Sequence, residues 1–112
     1  MYVALKPPKK AVEIALGRPW FRRENMFIKE VAGVAGDEIC AVNQQLLVNQ
    51  ENRGPISLTD RQGLPLPSAE GCYKLETDEV YLLGPNSPWS FDSRYWGVVR
   101  VGEIEGEAKI VW

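Results

Sequence analysis

The sequence predicts a mainly β fold of short antiparallel strands, with one short helix and one long polar loop. Apolar and β-branched residues occur in short runs, and glycine, proline, asparagine and aspartate separate these runs at close intervals. This pattern is typical of strands joined by turns. The chain has 112 residues, of which 45% are hydrophobic and 25% charged. It is therefore long enough to form a single domain with one core, and too apolar to be disordered.

The first elements are a strand and a helix. Tyr2–Leu5 is predicted to be a strand, and it ends before Pro7 and Pro8 because proline cannot donate a ladder hydrogen bond. Residues 11–16 suit a short helix, with Gly17 as its stop signal. We interpret the Trp20-Phe21 pair that follows as an aromatic anchor between solvated arginines.

The middle of the chain predicts a strand that carries Lys29, and then a hairpin. The Lys29 strand breaks at Gly33 and Gly36, and we expect Gly36 and Asp37 to form a structural turn. Two further strands are predicted at 38–42 and 46–49, joined by a turn at residues 43–45.

The long polar loop covers residues 50–70, with one short strand expected at 56–58. A loop of this length is usually functional or mobile. The remaining predicted strands are 72–75, 79–83, 98–101 and 108–112, with a turn cluster at 84–88 that includes Gly84 and Asn86.

Composition excludes several classes of function. The chain has no histidine, which removes Ser-His-Asp and Cys-His nucleophile activation and the usual zinc sites. Its net charge is −2 without a basic stripe, which argues against nucleic-acid binding. No apolar run reaches membrane-spanning length. We predict no metal and no cofactor.

The two cysteines, Cys40 and Cys72, both fall in predicted strands. In an oxidising compartment they can form a disulfide worth up to about 4 kcal/mol. In a reducing one they act as small buried hydrophobes. The residues alone leave both interpretations open.

Lys29 lies in an apolar strand, flanked at two-residue spacing by Phe27 and Val31 on the same face. Such a lysine either extends its ammonium into solvent or is partly desolvated. Desolvation by burial lowers a lysine pKa, and a shift of about 3 units from a reference near ~10.4 leaves free amine at neutral pH. A neutral amine can act as a general base toward a hydroxyl nucleophile.

A second polar group occurs in an aromatic loop, where Asp92, Ser93 and Arg94 are consecutive. Arg94 can pair with a carboxylate and fix the loop, while Ser93 can hydrogen-bond an amine. The alternative is a loop held together by an Asp–Arg pair for structural reasons alone.

The sequences around these two groups resemble the bacterial signal peptidase I family. Residues 27–37 are similar to the lysine-bearing box of that family, and residues 81–97 to its last box. The closing residues 104–112 resemble its final strand. The sequence Phe-Asp-Ser-Arg-Tyr at 91–95 is most similar to that of the conjugative transfer branch, the TraF-type peptidases.

This resemblance implies a serine/lysine protease on the β fold shared with LexA-type autoproteases. Lys29 is then the general base, Ser93 hydrogen-bonds and orients it, and Asp92 with Arg94 supports the loop. The substrate is an exported, pilin-like precursor, and the enzyme works on the periplasmic side of the bacterial inner membrane. In that oxidising location we expect Cys40 and Cys72 to form a disulfide.

The nucleophile of the family is a serine upstream of the lysine, after an N-terminal membrane anchor. All serines of this chain follow Lys29, and none matches the nucleophile box: Ser57, Ser68, Ser87, Ser90 and Ser93. We therefore expect residues 1–112 to be the C-terminal part of a longer catalytic domain and to be inactive as given. The alternative is a degenerate homologue that binds peptides without cleaving them, for example by strand addition.

Overall fold

A computed structural model describes residues 1–67, 70–84 and 89–108. Its elements are β1 (Tyr2–Leu5), α1 (Lys9–Ala15), β2 (Phe27–Gly33), β3 (Glu38–Val42), β4 (Gln45–Val48), β5 (Glu51–Pro55), β6 (Gly71–Lys74), β7 (Glu79–Leu83), α2 (Ser93–Trp96), β8 (Val99–Arg100), a 3₁₀ turn (Val101–Glu103) and β9 (Ile104–Ala108).

The strands form two antiparallel sheets, so the predicted mainly β fold is confirmed. The first sheet has the order β8-β7-β2-β1-β9, and the second has the order β5-β4-β3-β6. In the first sheet, β2 pairs with β1 through residues 27–30 and with β7 through residues 30–33. The start of β2, where Lys29 lies, therefore has β1 on one side and the end of β7 near the other.

Strand β7 explains how the two faces of the first sheet are covered. Its residues alternate between two apolar clusters, as side chains of a strand do. Val80 and Leu82 pack with Val3, Leu5 and helix α1. Tyr81 and Leu83 pack on the opposite face against residues of β3 and β4. A strand buried on both faces is a rigid support for the loop that follows it.

The second sheet is built from two tight hairpins. Asn43 and Gln44 connect β3 to β4 with φ values of 50° and 61°. Asn49 and Gln50 connect β4 to β5 with φ values of 50° and 70°. Two consecutive residues with positive φ are the signature of a type I′ turn, whose twist matches that of the flanking strands. Asparagine is among the residues that tolerate this conformation best.

Several details of the sequence prediction were wrong. The short strand expected at 56–58 lies instead at Glu51–Pro55, because the Asn49-Gln50 turn returns the chain against β4 immediately. The loop 91–97 contains the short helix α2, which Asp92 caps by accepting a hydrogen bond from the Arg94 amide at 3.1 Å. The last described strand begins at Ile104, earlier than the expected 108–112, because residues 104–108 pair with β1, and residues 109–112 lie outside the described residues.

Candidate active site

Lys29 projects from β2 toward the end of β7. Its Nζ lies 4.9 Å from the centroid of the Phe27 ring, which is on the same face of the strand. It also lies 3.5 Å from the point where a side chain at Gly84 would begin. The Lys29 side chain is half-buried, and its amine lies between an aromatic ring and the backbone at Gly84.

Burial lowers the pKa of Lys29 from its ordinary value of 10.5, and this is the largest influence on it. The negative charge of Asp92 acts in the opposite direction, while the positive charge of Arg94 adds to the lowering. Across residues 1–67, 70–84 and 89–108, Nζ makes no hydrogen bond and no ion pair within 4.0 Å. Its environment therefore favours the neutral amine more than solvent does.

Asp92 and Arg94 form a buried ion pair next to the lysine. The Asp92 carboxylate accepts hydrogen bonds from Arg94 Nε at 2.8 Å and from Arg94 Nη2 at 2.7 Å, so the pair is bidentate. The same carboxylate accepts from the Gly84 amide at 2.9 Å. Arg94 also donates from Nη1 to the Pro55 carbonyl at 2.7 Å. These contacts tie the start of α2 to Pro55 at the end of β5 and to Gly84, which lies beside Lys29.

Ser93 is buried at the start of α2, but its hydroxyl faces β7. Its Oγ accepts a hydrogen bond from the Leu82 amide at 2.9 Å. No hydrogen bond joins Ser93 to Lys29 among the described residues. The structure thus uses Ser93 to join helix and strand, and its role in orienting Lys29 stays a prediction.

Ser90 is the residue at this site that sequence reasoning missed. A Cβ added to Gly84 would overlap the Ser90 side chain and would also lie next to Lys29 Nζ. Both side chains therefore approach the same glycine, and only a residue without a side chain allows this. A signal was present in the sequence, because Gly84, Pro85 and Pro88 are turn-forming residues that lie between β7 and Ser90 in the sequence.

The model of the family described as "Signal peptidase, peptidase S26" matches residues 2–112. The chain belongs to this family. The resemblance noted from the lysine box and the last box is thereby confirmed.

Two curated proteins are similar to this chain in sequence. The "Probable signal peptidase I-2" of Synechocystis is 32% identical over 84 residues, which cover 73% of this chain and 36% of that protein. The "Plasmid transfer protein TraF" of Escherichia coli is 34% identical over 80 residues, which cover 69% of this chain and 45% of that protein. The chain thus spans less than half the length of either relative.

A solved structure supports the fold. The crystal structure of a signal peptidase I from Enterococcus faecalis superposes with a TM-score of 0.56 at 17% identity, covering 96% of this chain and 92% of that one. At this identity the likeness shows the signal peptidase β fold and no more.

The turn after β2 is arranged around Asp37. Its carboxylate accepts hydrogen bonds from the Val34 amide at 2.8 Å and from Asn49 Nδ2 at 3.0 Å. The Asn49 hydrogen bond and then the Val34 amide hold the pKa of Asp37 below its ordinary value. Gly36 supplies the positive φ of 92° that this turn requires. Asn86, the other residue expected to be structural, lies outside the described residues.

Cys40 and Cys72 are directly opposite each other on β3 and β6, and a disulfide joins them. The Glu38 carboxylate is close to both sulfurs. Because the sulfurs are bonded to each other, they do not offer thiolates to a metal ion. The bridge lies in the second sheet, away from Lys29 in the first.

In the part of the chain that the structure describes, no helix is both long and apolar enough to span a bilayer.

Proposed function

We propose that this chain supplies the general base of a serine/lysine signal peptidase of the conjugative transfer type. The observation that carries the proposal is the environment of Lys29. Its amine is enclosed by Phe27, Gly84 and Ser90, its pKa is lowered by burial, and no described carboxylate pairs with it. A structural lysine would instead be expected to reach solvent or an ion-pair partner.

The mechanism uses the neutral form of the Lys29 amine, which the lowered pKa favours. Lys29 removes the proton from a serine hydroxyl while the serine oxygen attacks the carbonyl carbon of the scissile peptide bond. The lysine then gives this proton to the leaving amine, and an acyl-enzyme remains. Water then attacks the ester carbonyl while the same amine takes its proton, and the amine returns this proton to the departing serine oxygen, which releases the acid product and restores the serine hydroxyl. Asp92 and Arg94 take no part in the bond changes: they hold Gly84 and the 90–94 loop in place, and their charges shift the pKa of Lys29 in opposite directions.

The serine in this mechanism comes from a segment preceding residue 1, as the family resemblance implies. Residues 1–112 then form the C-terminal part of the catalytic domain, attached to the membrane through an N-terminal anchor. The substrate is an exported, pilin-like precursor on the periplasmic side of the inner membrane. The disulfide supports this location, since disulfides persist in oxidising compartments.

The decisive experiment supplies a nucleophile serine upstream of Lys29. A chimera joins the upstream segment of the Escherichia coli relative to this chain, and cleavage of a precursor peptide is followed by mass spectrometry. Replacing Lys29→Ala should lower the rate by about 10²–10⁴-fold. Lys74→Ala, on the exposed strand β6, serves as the control and should leave the rate unchanged. Equal cleavage by the Lys29→Ala chimera would refute the assignment of the base.

A peptide-binding module without catalysis is the second candidate. The observation in its favour is that no serine precedes Lys29 in these 112 residues. Against it stands the Asp92–Arg94–Gly84 arrangement around a lysine, which binding alone does not require. A chimera that binds the precursor but never releases product would favour this candidate.

A further inference from the structure

A cavity of about 430 Å³ opens beside Ser90. Its wall is mostly aromatic or apolar, formed by Trp20, Leu66, Trp89, Phe91 and Tyr95. Its polar residues include Ser57 and Arg61. We call this space the aromatic cavity. Its volume lies within the range of sites that bind small ligands or side chains, roughly 300–1,000 Å³.

The loop that forms one side of the aromatic cavity is held in place by Asp60. The buried Asp60 carboxylate accepts hydrogen bonds from Arg18 Nη1 at 2.9 Å and Trp20 Nε1 at 3.1 Å. It also accepts from the backbone amides of Gln62 at 2.8 Å and Leu64 at 3.0 Å. Burial alone would raise the pKa of Asp60, but these hydrogen bonds outweigh it and lower the pKa. The cavity is therefore preorganised, and binding of a ligand does not carry the free-energy cost of ordering this loop.

An aromatic chain connects the cavity to the candidate general base. The Trp20 ring contacts Phe91 edge-on, with centroids 5.0 Å apart. Phe91 contacts Phe27 at 6.4 Å, and Phe27 lies against Lys29 Nζ at 4.9 Å. Since Ser90 both lines the cavity and approaches Lys29 across Gly84, a peptide held at the lysine can place a side chain into the cavity.

We propose that the aromatic cavity is a specificity subsite for one large apolar side chain, preferably aromatic, of the substrate peptide. This inference rests on the proposed peptidase function. Trp20 and Trp89 keep 38% and 49% of their surface exposed, so an aromatic side chain would bury additional apolar area there. An alanine at the same position of the peptide would reach little of this surface.

Arg61 extends the specificity to charge. Its guanidinium stacks over the Trp89 ring at 5.5 Å from the centroid, at the edge of the cavity, and the residue is exposed. Because Asp60 is already paired with Arg18, the edge of the cavity carries a net positive charge. An acidic residue next to the aromatic one in the substrate is therefore favoured.

The test measures peptide binding by the 112-residue chain, which needs no nucleophile. Fluorescein-labelled alanine-based peptides carry a single Phe-Glu pair at each position in turn, and fluorescence polarisation compares them with the all-alanine peptide. At one position we expect binding at least about tenfold tighter, which corresponds to about 1.4 kcal/mol. If the peptides bind no more tightly than the all-alanine peptide, whatever the position of the Phe-Glu pair, the proposal is overturned.

Two matched variants test whether the peptide side chain binds in the aromatic cavity. Ser57→Phe fills the cavity and should abolish the preference for phenylalanine. Thr59→Phe places the same group on the exposed side of the same loop, outside the cavity lining, and should retain it. A preference that survives Ser57→Phe would overturn the proposal. In case Ser57→Phe fails to fold, a nitrophenylalanine peptide should quench tryptophan fluorescence in the unmodified chain, and absence of quenching by a bound peptide would equally overturn it.

The two proposals can fail separately. If the chimera cleaves phenylalanine and alanine peptides equally well, the subsite is wrong and the peptidase assignment stands. If the chain prefers the phenylalanine peptide but the chimera does not cleave it, the subsite stands and the peptidase assignment is wrong.

Discussion

The side-chain nitrogen of Lys29 lies 4.9 Å from the centroid of the Phe27 ring, two residues earlier on β2. Alternate residues of a strand share one face, so this contact follows directly from the sequence order. The ring covers one side of the amine. Together with Gly84 and Ser90 it makes burial the largest influence on the pKa of Lys29.

The first prediction concerns stability as a function of pH. Because the pKa of Lys29 is lowered on folding, the unfolded chain binds more protons between this pKa and 10.5, and stability rises with pH in that window. Lys29→Met removes the cost of burying the charge. We expect Lys29→Met to be more stable than the unmodified chain at pH 6, with an advantage that shrinks toward pH 10, measured by urea unfolding.

Lys74→Met is the control for this series, because Lys74 lies on the exposed strand β6. It should leave the pH profile of the free energy of unfolding unchanged. If Lys29→Met changes the free energy of unfolding by the same amount at all pH values, the pKa of Lys29 does not change on folding.

The second prediction concerns the buried ion pair. The side chains of Asp92 and Arg94 are 0% and 4% exposed, so Asp92→Asn leaves the guanidinium without its counter-charge in the protein interior. Removing one partner of such a pair typically costs about 3–5 kcal/mol. We expect a loss of this size in the free energy of unfolding, measured with urea.

Glu30→Gln provides the matched comparison for Asp92→Asn. Glu30 pairs with Arg53 at 2.9 Å, but these side chains are 36% and 30% exposed. An exposed pair contributes about 0–1 kcal/mol. Equal losses in the two variants would contradict the role assigned to Asp92.

Much of the fold could be predicted because its signals are local. Tyr2–Leu5, Glu38–Val42 and Glu79–Leu83 are strands in the structure with the predicted bounds, since turn-forming residues or proline mark their limits. The strand Glu51–Pro55 was missed because its sequence is polar and its pairing depends on the preceding two-residue turn.

The site was less predictable than the fold, because it depends on tertiary contacts. Lys29, Asp92 and Arg94 stand out in the sequence as charged residues in apolar surroundings, and the structure brings them together, while their roles stay a prediction. Ser90 is a neutral residue near turn-forming residues, and its approach to Gly84 and Lys29 becomes evident only in the structure. Ser93 was selected for its place between Asp92 and Arg94, but the first turn of α2 directs its hydroxyl to Leu82.

The third prediction concerns the disulfide. The Cys40–Cys72 bond joins residues separated by 32 positions, and closing a loop of that size stabilises by about 3–4 kcal/mol. The double variant Cys40→Ala, Cys72→Ala should lose about this much in the free energy of unfolding. A reductant should destabilise the unmodified chain but not the variant. Two free thiols in the native protein, detected by mass spectrometry, would contradict the bond.

The fourth prediction tests the close approach at Gly84. In Gly84→Ala the new methyl group overlaps the Ser90 side chain and lies beside Lys29 Nζ, so the 90–94 loop must move away and admit water. We expect the pKa of Lys29 to rise toward its ordinary value, as followed by NMR titration of ¹³C-methylated lysines. Gly102→Ala is the control, since a Cβ there meets no atom within 4 Å. If the pKa of Lys29 is the same in Gly84→Ala as in the unmodified chain, the 90–94 loop is not what shields the amine from water.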